Sequence, residues 1–106
     1  MNDIDWIYEN LKEAGLVQNQ NDLSHLCGMD DSYISSRKAK GKEPSVEALA
    51  HLAFNLEAEL QVLEDTIRYG EDLTADRLAA AAIIYEVKNE IFANLKAQCH
   101  GGARHE

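Results

Sequence analysis

The apolar residues at the start of the chain recur at intervals of three and four. This spacing places side chains on one face of an α-helix, and it predicts a first helix over about residues 5–14. Asn2 and Asp3 are both suitable N-caps for that helix, and Gly15 ends it. The resulting apolar stripe consists of Ile4, Ile7, Leu11 and Ala14. We expect this stripe to pack over the two helices that follow.

Two short helical segments joined by a glycine come next. Asn19 is a suitable N-cap for the first, with Leu23 on its buried face. Gly28 ends that helix, because glycine adopts the left-handed backbone of a C′ position without a steric penalty. The second helix is predicted over about residues 31–40, with Ile34 as its buried anchor. The pattern therefore predicts two helices connected by a tight turn.

Two long helices are predicted in the second half of the chain. The first begins at the N-cap Ser45 and is about 37 Å long. Its apolar positions alternate at intervals of three and four, like those of a coiled coil. Thr74 is the predicted N-cap of the second, which extends over about residues 75–98. Residues 59–98 are therefore expected to form an antiparallel helical hairpin, and residues 99–106 a disordered tail.

Both long helices carry wider apolar faces than one hairpin buries. We therefore expect two copies to associate through their hairpins into a four-helix bundle, which makes the protein a homodimer. The residues assigned to this interface are Leu56, Leu60, Leu63, Ile67, Ile84, Val87 and Ile91. The alternative is a monomer in which the hairpin folds back on residues 1–45.

The composition indicates a small helical protein with no membrane span. The chain has 106 residues, of which 45% are apolar and only one is proline. No apolar run approaches the roughly 18 residues of a transmembrane helix, and the acidic N-terminus is unlike a signal peptide. We expect a cytoplasmic protein in which Cys27 and Cys99 are free thiols.

The formal net charge of −9 is unevenly distributed. Residues 1–31 carry −6, residues 32–44 carry +3, and residues 45–106 carry −6. The positive segment coincides with the predicted second short helix and the loop after it. An acidic body with one basic face disfavours nonspecific DNA binding and helps to orient a specific complex.

The segment from Gln20 to Ser45 resembles the helix-turn-helix of the Cro/C1 (XRE-type) repressor family. The residues that carry the match are Gln20, Leu23, Ser24, Gly28, Met29, Tyr33, Ile34, Ser35, the exit Gly41-Lys42-Glu43-Pro44-Ser45, and Leu49, Leu52 and Ala53. The sequence departs from the family where Ser24 replaces the commoner alanine and where Arg37 replaces an apolar residue. The resemblance covers about residues 3–60. It implies an all-α fold in which a helix-turn-helix DNA-binding region, residues 1–58, precedes the helical hairpin.

The helix at residues 31–40 would then enter the major groove of a palindromic operator in double-stranded DNA. Exposed serines can hydrogen-bond base edges, the lysines can contact phosphates, and Arg37 can make a bidentate contact to guanine. The residues assigned to DNA are Gln20, Asp31, Ser32, Tyr33, Ser35, Ser36, Arg37, Lys38, Lys40 and Lys42. Two alternatives stay open, because Tyr33 can also be a half-buried core aromatic and Arg37 can lie along the core edge.

The remaining residues predict neither catalysis nor a cofactor. No nucleophile has a histidine and an acid at recognisable offsets, and no glycine-rich phosphate loop follows a strand. Cys99, His100 and His105 match no standard zinc spacing, so we expect no metal site. The leading hypothesis is a dimeric DNA-binding repressor. The alternative is a protein-interaction module, of antitoxin-like or other partner-binding type, that retains the repressor fold.

Overall fold

The computed structural model describes residues 3–68 and 74–103, with side chains up to residue 97. It confirms the predicted all-α class, and no strand occurs in these ranges. The helices are α1 (Ile4–Glu13), α2 (Gln20–Leu26), α3 (Tyr33–Ala39), α4 (Val46–Arg68) and α5 (Ala75–Ala103). Within the described residues, none of these helices combines the length and the apolar character that crossing a membrane requires.

Polar side chains begin four of the helices. Asp3, Asn19, Ser45 and Thr74 each accept a hydrogen bond from a backbone N–H two or three residues later, at 2.9 to 3.2 Å. These bonds satisfy N–H groups that have no partner within the first turn of a helix. The predicted caps are therefore confirmed for α1, α2, α4 and α5.

The hydrophobic core draws on all five helices. α5 packs along α4 and also reaches α1, while α2 contacts both α3 and α4. The α1 stripe is buried at its first three positions, as predicted. The core residues with the least exposure, at 0–1%, are Ile7, Leu11, Val17, Leu23, Cys27, Ile34, Ala48, Leu49, Leu52, Ala53, Leu56, Val87 and Ile91.

The hairpin interface predicted from the sequence is wrong for four of its seven residues. Leu56, Ile84, Val87 and Ile91 are each at most 3% exposed and lie in the core that α1 shares. The physical reason is that the apolar stripe of α1 needs a cover, and α5, which packs along α4, is long enough to supply it. The hairpin thus folds back on the N-terminal part of the chain, as in the alternative arrangement described from the sequence. Three residues of the predicted interface lie outside this core cluster or at its edge, namely Leu60, Leu63 and Ile67.

Two further sequence predictions concern the C-terminal part of the chain. Residues 99–103, expected to be a disordered tail, continue α5 instead, and residues 104–106 lie outside the described residues. Cys27 is a free, buried thiol, as expected. Burial raises the pKa of Cys27 to about 12, which keeps it protonated and unreactive. The side chain of Cys99 lies outside the described residues.

Candidate nucleic-acid interface

Gly28 makes the turn that joins α2 to α3. Its φ is +73°, in the left-handed region that favours glycine. A Cβ atom built on Gly28 would lie 3.0 Å from Cγ of His51 on α4. Glycine is therefore required here both by the backbone conformation and by the close approach of α4. The glycine predicted from the sequence as the end of the first short helix has this role.

Ser24 joins α2 to α3 through its buried hydroxyl group. Its Oγ accepts a hydrogen bond from the Ile34 N–H at 3.0 Å, in the first turn of α3. As a donor, the same Oγ lies within hydrogen-bond distance of two carbonyl oxygens, those of Gln20 at 3.1 Å and Asp31 at 3.3 Å. Because the N-cap residue Ser32 makes no capping bond, Ser24 caps α3 from the neighbouring helix. This bond gives a physical reason for serine where the resembled family commonly has alanine.

Replacing Ser24 with alanine is expected to lower the free energy of unfolding by about 1–3 kcal/mol, because the Ile34 N–H would stay buried without a partner. Urea denaturation followed by circular dichroism measures the change. Ser36 is exposed, so Ser36→Ala is the matched control and should change stability by less than about 0.5 kcal/mol. Equal stability of the two variants would contradict a capping role for Ser24.

The candidate recognition helix is shorter than predicted. It begins at Tyr33, since Asp30 Oδ1 accepts hydrogen bonds from the backbone N–H and the hydroxyl of Ser32 at 3.2 and 3.1 Å. These bonds hold residues 30–32 in a turn before the helix. Asp31 lies in that turn, where its carboxylate hydrogen-bonds the ring Nε2 of His25 on α2. Asp31 and Ser32 are thus placed just before α3 rather than within it.

The serines of the predicted DNA face are exposed at the start of α3 and in the turn before it. Ser32, Ser35 and Ser36 are all exposed, while Ile34 between them is fully buried. Ser35 Oγ donates to the Ser32 carbonyl oxygen at 3.1 Å. Gln20 opens α2, as predicted, and is half-buried. The N-terminal half of α3 therefore exposes short polar side chains, which allow close approach to another surface.

Tyr33 and Arg37 connect α3 to the start of α4. The phenol oxygen of Tyr33 accepts from the Ser45 N–H at 2.8 Å and also hydrogen-bonds the Ser45 hydroxyl at 3.2 Å. Arg37 Nε donates to the Glu43 carbonyl oxygen at 2.8 Å, and its guanidinium lies 5.7 Å from the centroid of the Tyr33 ring. Both side chains are half-buried. Tyr33 is therefore the half-buried aromatic, and Arg37 the side chain along the core edge, that the two alternatives described.

The lysines of the basic segment differ in their surroundings. Lys38 Nζ lies 2.7 Å from Asp5 Oδ1 of α1, and the hydrogen bond to that carboxylate raises the pKa of Lys38. Lys40 and Lys42 are exposed, and neither forms an ion pair with another of the described residues. These two cations follow the C-terminal end of α3.

Acidic residues from α1 partly neutralise the basic segment. A shallow cleft brings together Asp3, Ile4, Asp5, Lys38, Gly41, Lys42 and Glu43. The sequence shows no sign of this proximity, because Asp5 and Lys38 are far apart along the chain and only the packing of α1 brings them into contact. The local positive charge is thus smaller than the +3 of residues 32–44 suggests.

Asn55 is a further connection that sequence reasoning missed. Its Nδ2 donates to the Leu26 carbonyl oxygen at 2.7 Å, and so satisfies an acceptor at the C-terminal end of α2. An isolated asparagine on the polar side of a predicted helix carries no signal of such a bond. Together with Ser24 and Tyr33, Asn55 fixes the helix pair α2–α3 on α4.

Among the described residues, no group of three or more metal-ligating side chains could hold a metal ion.

Comparisons with known proteins bear on the family but not on the activity. Searches of curated proteins and of solved structures gave no match. A family model described as a family of unknown function, DUF6626, matches residues 4–104. The chain therefore belongs to the DUF6626 family.

Proposed function

We propose that this protein is a sequence-specific DNA-binding regulator that inserts α3 into the major groove. The observation that carries the proposal is the exposed serine side of α3, held rigidly against α2 by Gly28 and Ser24 and followed by two exposed lysines. A helix-turn-helix places the N-terminal half of its second helix against base edges. The resemblance to the Cro/C1 family supports the same orientation.

The contacts divide into two kinds in this proposal. Ser32, Ser35 and Ser36 offer hydroxyl groups that pair with base edges in the major groove. Lys40 and Lys42 neutralise phosphates, which sets affinity and position without reading the sequence. Tyr33 and Arg37 hold the helix in place instead of contacting bases directly. Occupation of an operator by this protein would repress an overlapping promoter.

The charge distribution makes such a protein depend on its base contacts. The whole chain carries a formal net charge of −9, so phosphates are repelled by most of its surface. Asp5 reduces the charge available from Lys38 still further. Nonspecific affinity, which comes from neutralised phosphates, is then low, and binding requires a site that fits α3.

The same acids favour a second candidate function, a protein-interaction module that retains the fold. In this alternative the mixed charges of the cleft between α1 and the loop after α3 pair with a partner protein. Such a module would bind no duplex of any sequence. DNA selection therefore separates the two candidates.

Selection from a random duplex library at about 150 mM salt tests the proposal. We expect the wild-type protein to enrich one sequence motif. The Ser35→Glu/Ser36→Glu variant should enrich none, because two carboxylates would face the bases and phosphates. Both positions are exposed, so circular dichroism should show an unchanged fold. Failure of the folded wild-type protein to enrich any sequence would favour the protein-interaction module.

A further inference from the structure

α5 carries a second apolar stripe that the core does not use. Leu78, Tyr85 and Phe92 are spaced seven residues apart and are 52%, 56% and 47% exposed. Residues seven apart lie on the same side of a helix. This α5 stripe is distinct from the buried side of the helix, which carries Ile84, Val87 and Ile91.

The stripe is continuous with apolar surface on α4. Leu78 and Tyr85 line a groove of about 250 Å³ between the two helices. The side chains that complete its apolar wall are Leu60, Leu63, Ile67 and Ala81. Ile67 is itself 57% exposed. The apolar surface therefore extends across both helices instead of ending at α5.

The positive charge in this groove is already paired within the chain. Lys88 Nζ lies 2.9 Å from Glu57 Oε2 on α4, and the Lys88 side chain is only 13% exposed. The same ammonium group lies 4.8 Å from the centroid of the Tyr85 ring. Because Lys88 is paired and covered, a second apolar surface can approach without leaving an unpaired cation at the contact.

We propose that a second copy of this chain docks on the α5 stripe, with the two α5 helices antiparallel and Tyr85 on the two-fold axis. In this register, Leu78 of one copy lies opposite Phe92 of the other. Ala81 and Ala82 lie opposite Asn89 and Lys88, so that small side chains face large ones. The equal spacing on both sides of Tyr85 makes the stripe complementary to itself, as a two-fold interface requires.

The exposed apolar area approaches what a small dimer interface requires. A fully buried aromatic side chain contributes roughly 150–250 Å², so half-exposed Tyr85 and Phe92 each offer about 100 Å². With Leu78 and Ile67, one copy supplies roughly 350 Å² and two copies about 700 Å². The smallest stable interfaces bury about 1,200 Å² in total. In homodimers roughly 65% of the interface area is apolar. The estimated apolar area is close to that requirement.

This inference deepens the proposed function, because a two-fold dimer carries two copies of α3, but it does not require DNA binding. Sedimentation without DNA tests it independently. We expect the wild-type protein to dimerise at micromolar concentration and Tyr85→Asp to raise the dimer dissociation constant by about 100-fold. Phe54→Asp is the matched control, since Phe54 is 76% exposed yet lies on α4 outside the groove. We expect that variant to dimerise like the wild type.

Cross-linking tests the register. In a Cys99→Ser background, Tyr85→Cys should cross-link to itself through a short bismaleimide. Leu78→Cys alone and Phe92→Cys alone should fail to cross-link. In the antiparallel register each residue lies opposite the other one, so the two copies of the same residue are fourteen helical residues, or about 21 Å, apart. A mixture of the two variants should cross-link. The proposal would be overturned if the wild-type protein were still monomeric at about 100 μM. It would also be overturned if Phe54→Asp, and not Tyr85→Asp, lost the dimer. Self-linking of Leu78→Cys would overturn the antiparallel register. A dimer that enriches no DNA would overturn only the proposed function.

Discussion

We expect Val87→Asp to unfold the chain instead of separating two folded subunits. Val87 is 0% exposed and lies in the core that α5 shares with α1 and α4. An aspartate there would be buried without a partner, at a cost of several kcal/mol whether it ionises or takes up a proton. A small domain has a total stability of about 5–15 kcal/mol. We therefore expect either that the variant loses its helical circular dichroism signal at 25 °C or that its free energy of unfolding falls by more than about 4 kcal/mol.

The matched control for this experiment is Tyr85→Asp, two residues earlier on the same helix. Tyr85 is 56% exposed, so at protein concentrations below the dimer dissociation constant the same substitution should leave the fold and the unfolding midpoint nearly unchanged. Thermal and urea denaturation of the two variants measure the contrast. If Val87→Asp proved to be a folded monomer, the buried side of α5 would belong to an interface between subunits and not to the core of one chain.

The helices themselves could be predicted because their signals are local. The intervals of three and four in α1 and α4 and the caps Asn19, Ser45 and Thr74 lie within a few residues of the turns they define. The partner of each apolar face could not be predicted in this way. Periodicity shows that Val87 lies on an apolar side of α5, but not whether α1 or a second chain covers that side.

The candidate site was predictable in its location and not in the roles of its side chains. The Gly28 turn and the buried Ile34 follow from the pattern of the sequence. The contact between Lys38 and Asp5 arises only when α1 packs beside α3. Arg37 likewise finds its acceptor, the Glu43 carbonyl oxygen, through the conformation of the loop. A charge count along the sequence treats these cations as equivalent, while the structure leaves Lys40 and Lys42 as the exposed ones.

Replacing Lys40 and Lys42 with glutamate should weaken DNA binding by about 100-fold or more. The selected duplex is the probe, and fluorescence anisotropy at two or more salt concentrations is the measurement. Loss of two phosphate contacts reduces the slope of log affinity against log salt by about 1.8, and two new carboxylates add repulsion. Both lysines are exposed and form no ion pair within the described part of the chain. The fold should therefore be unaffected, unlike in variants of Arg37 or Lys38.

The control must change the net charge equally at a distant place. The double variant Arg68→Glu/Arg77→Glu changes the net charge by the same amount. Its first position is distant, because α4 begins beside α3 and rises 1.5 Å per residue, which puts Arg68 about 33 Å from the start of α4. Arg77, in the first turn of α5, lies beside Glu59 and Leu63 in the second half of α4. Charges that far from DNA are screened at physiological salt, where the Debye length is about 8 Å, so we expect at most a few-fold loss. Equal losses in both double variants would show that net charge governs binding. Unchanged affinity in Lys40→Glu/Lys42→Glu would place the DNA on another surface.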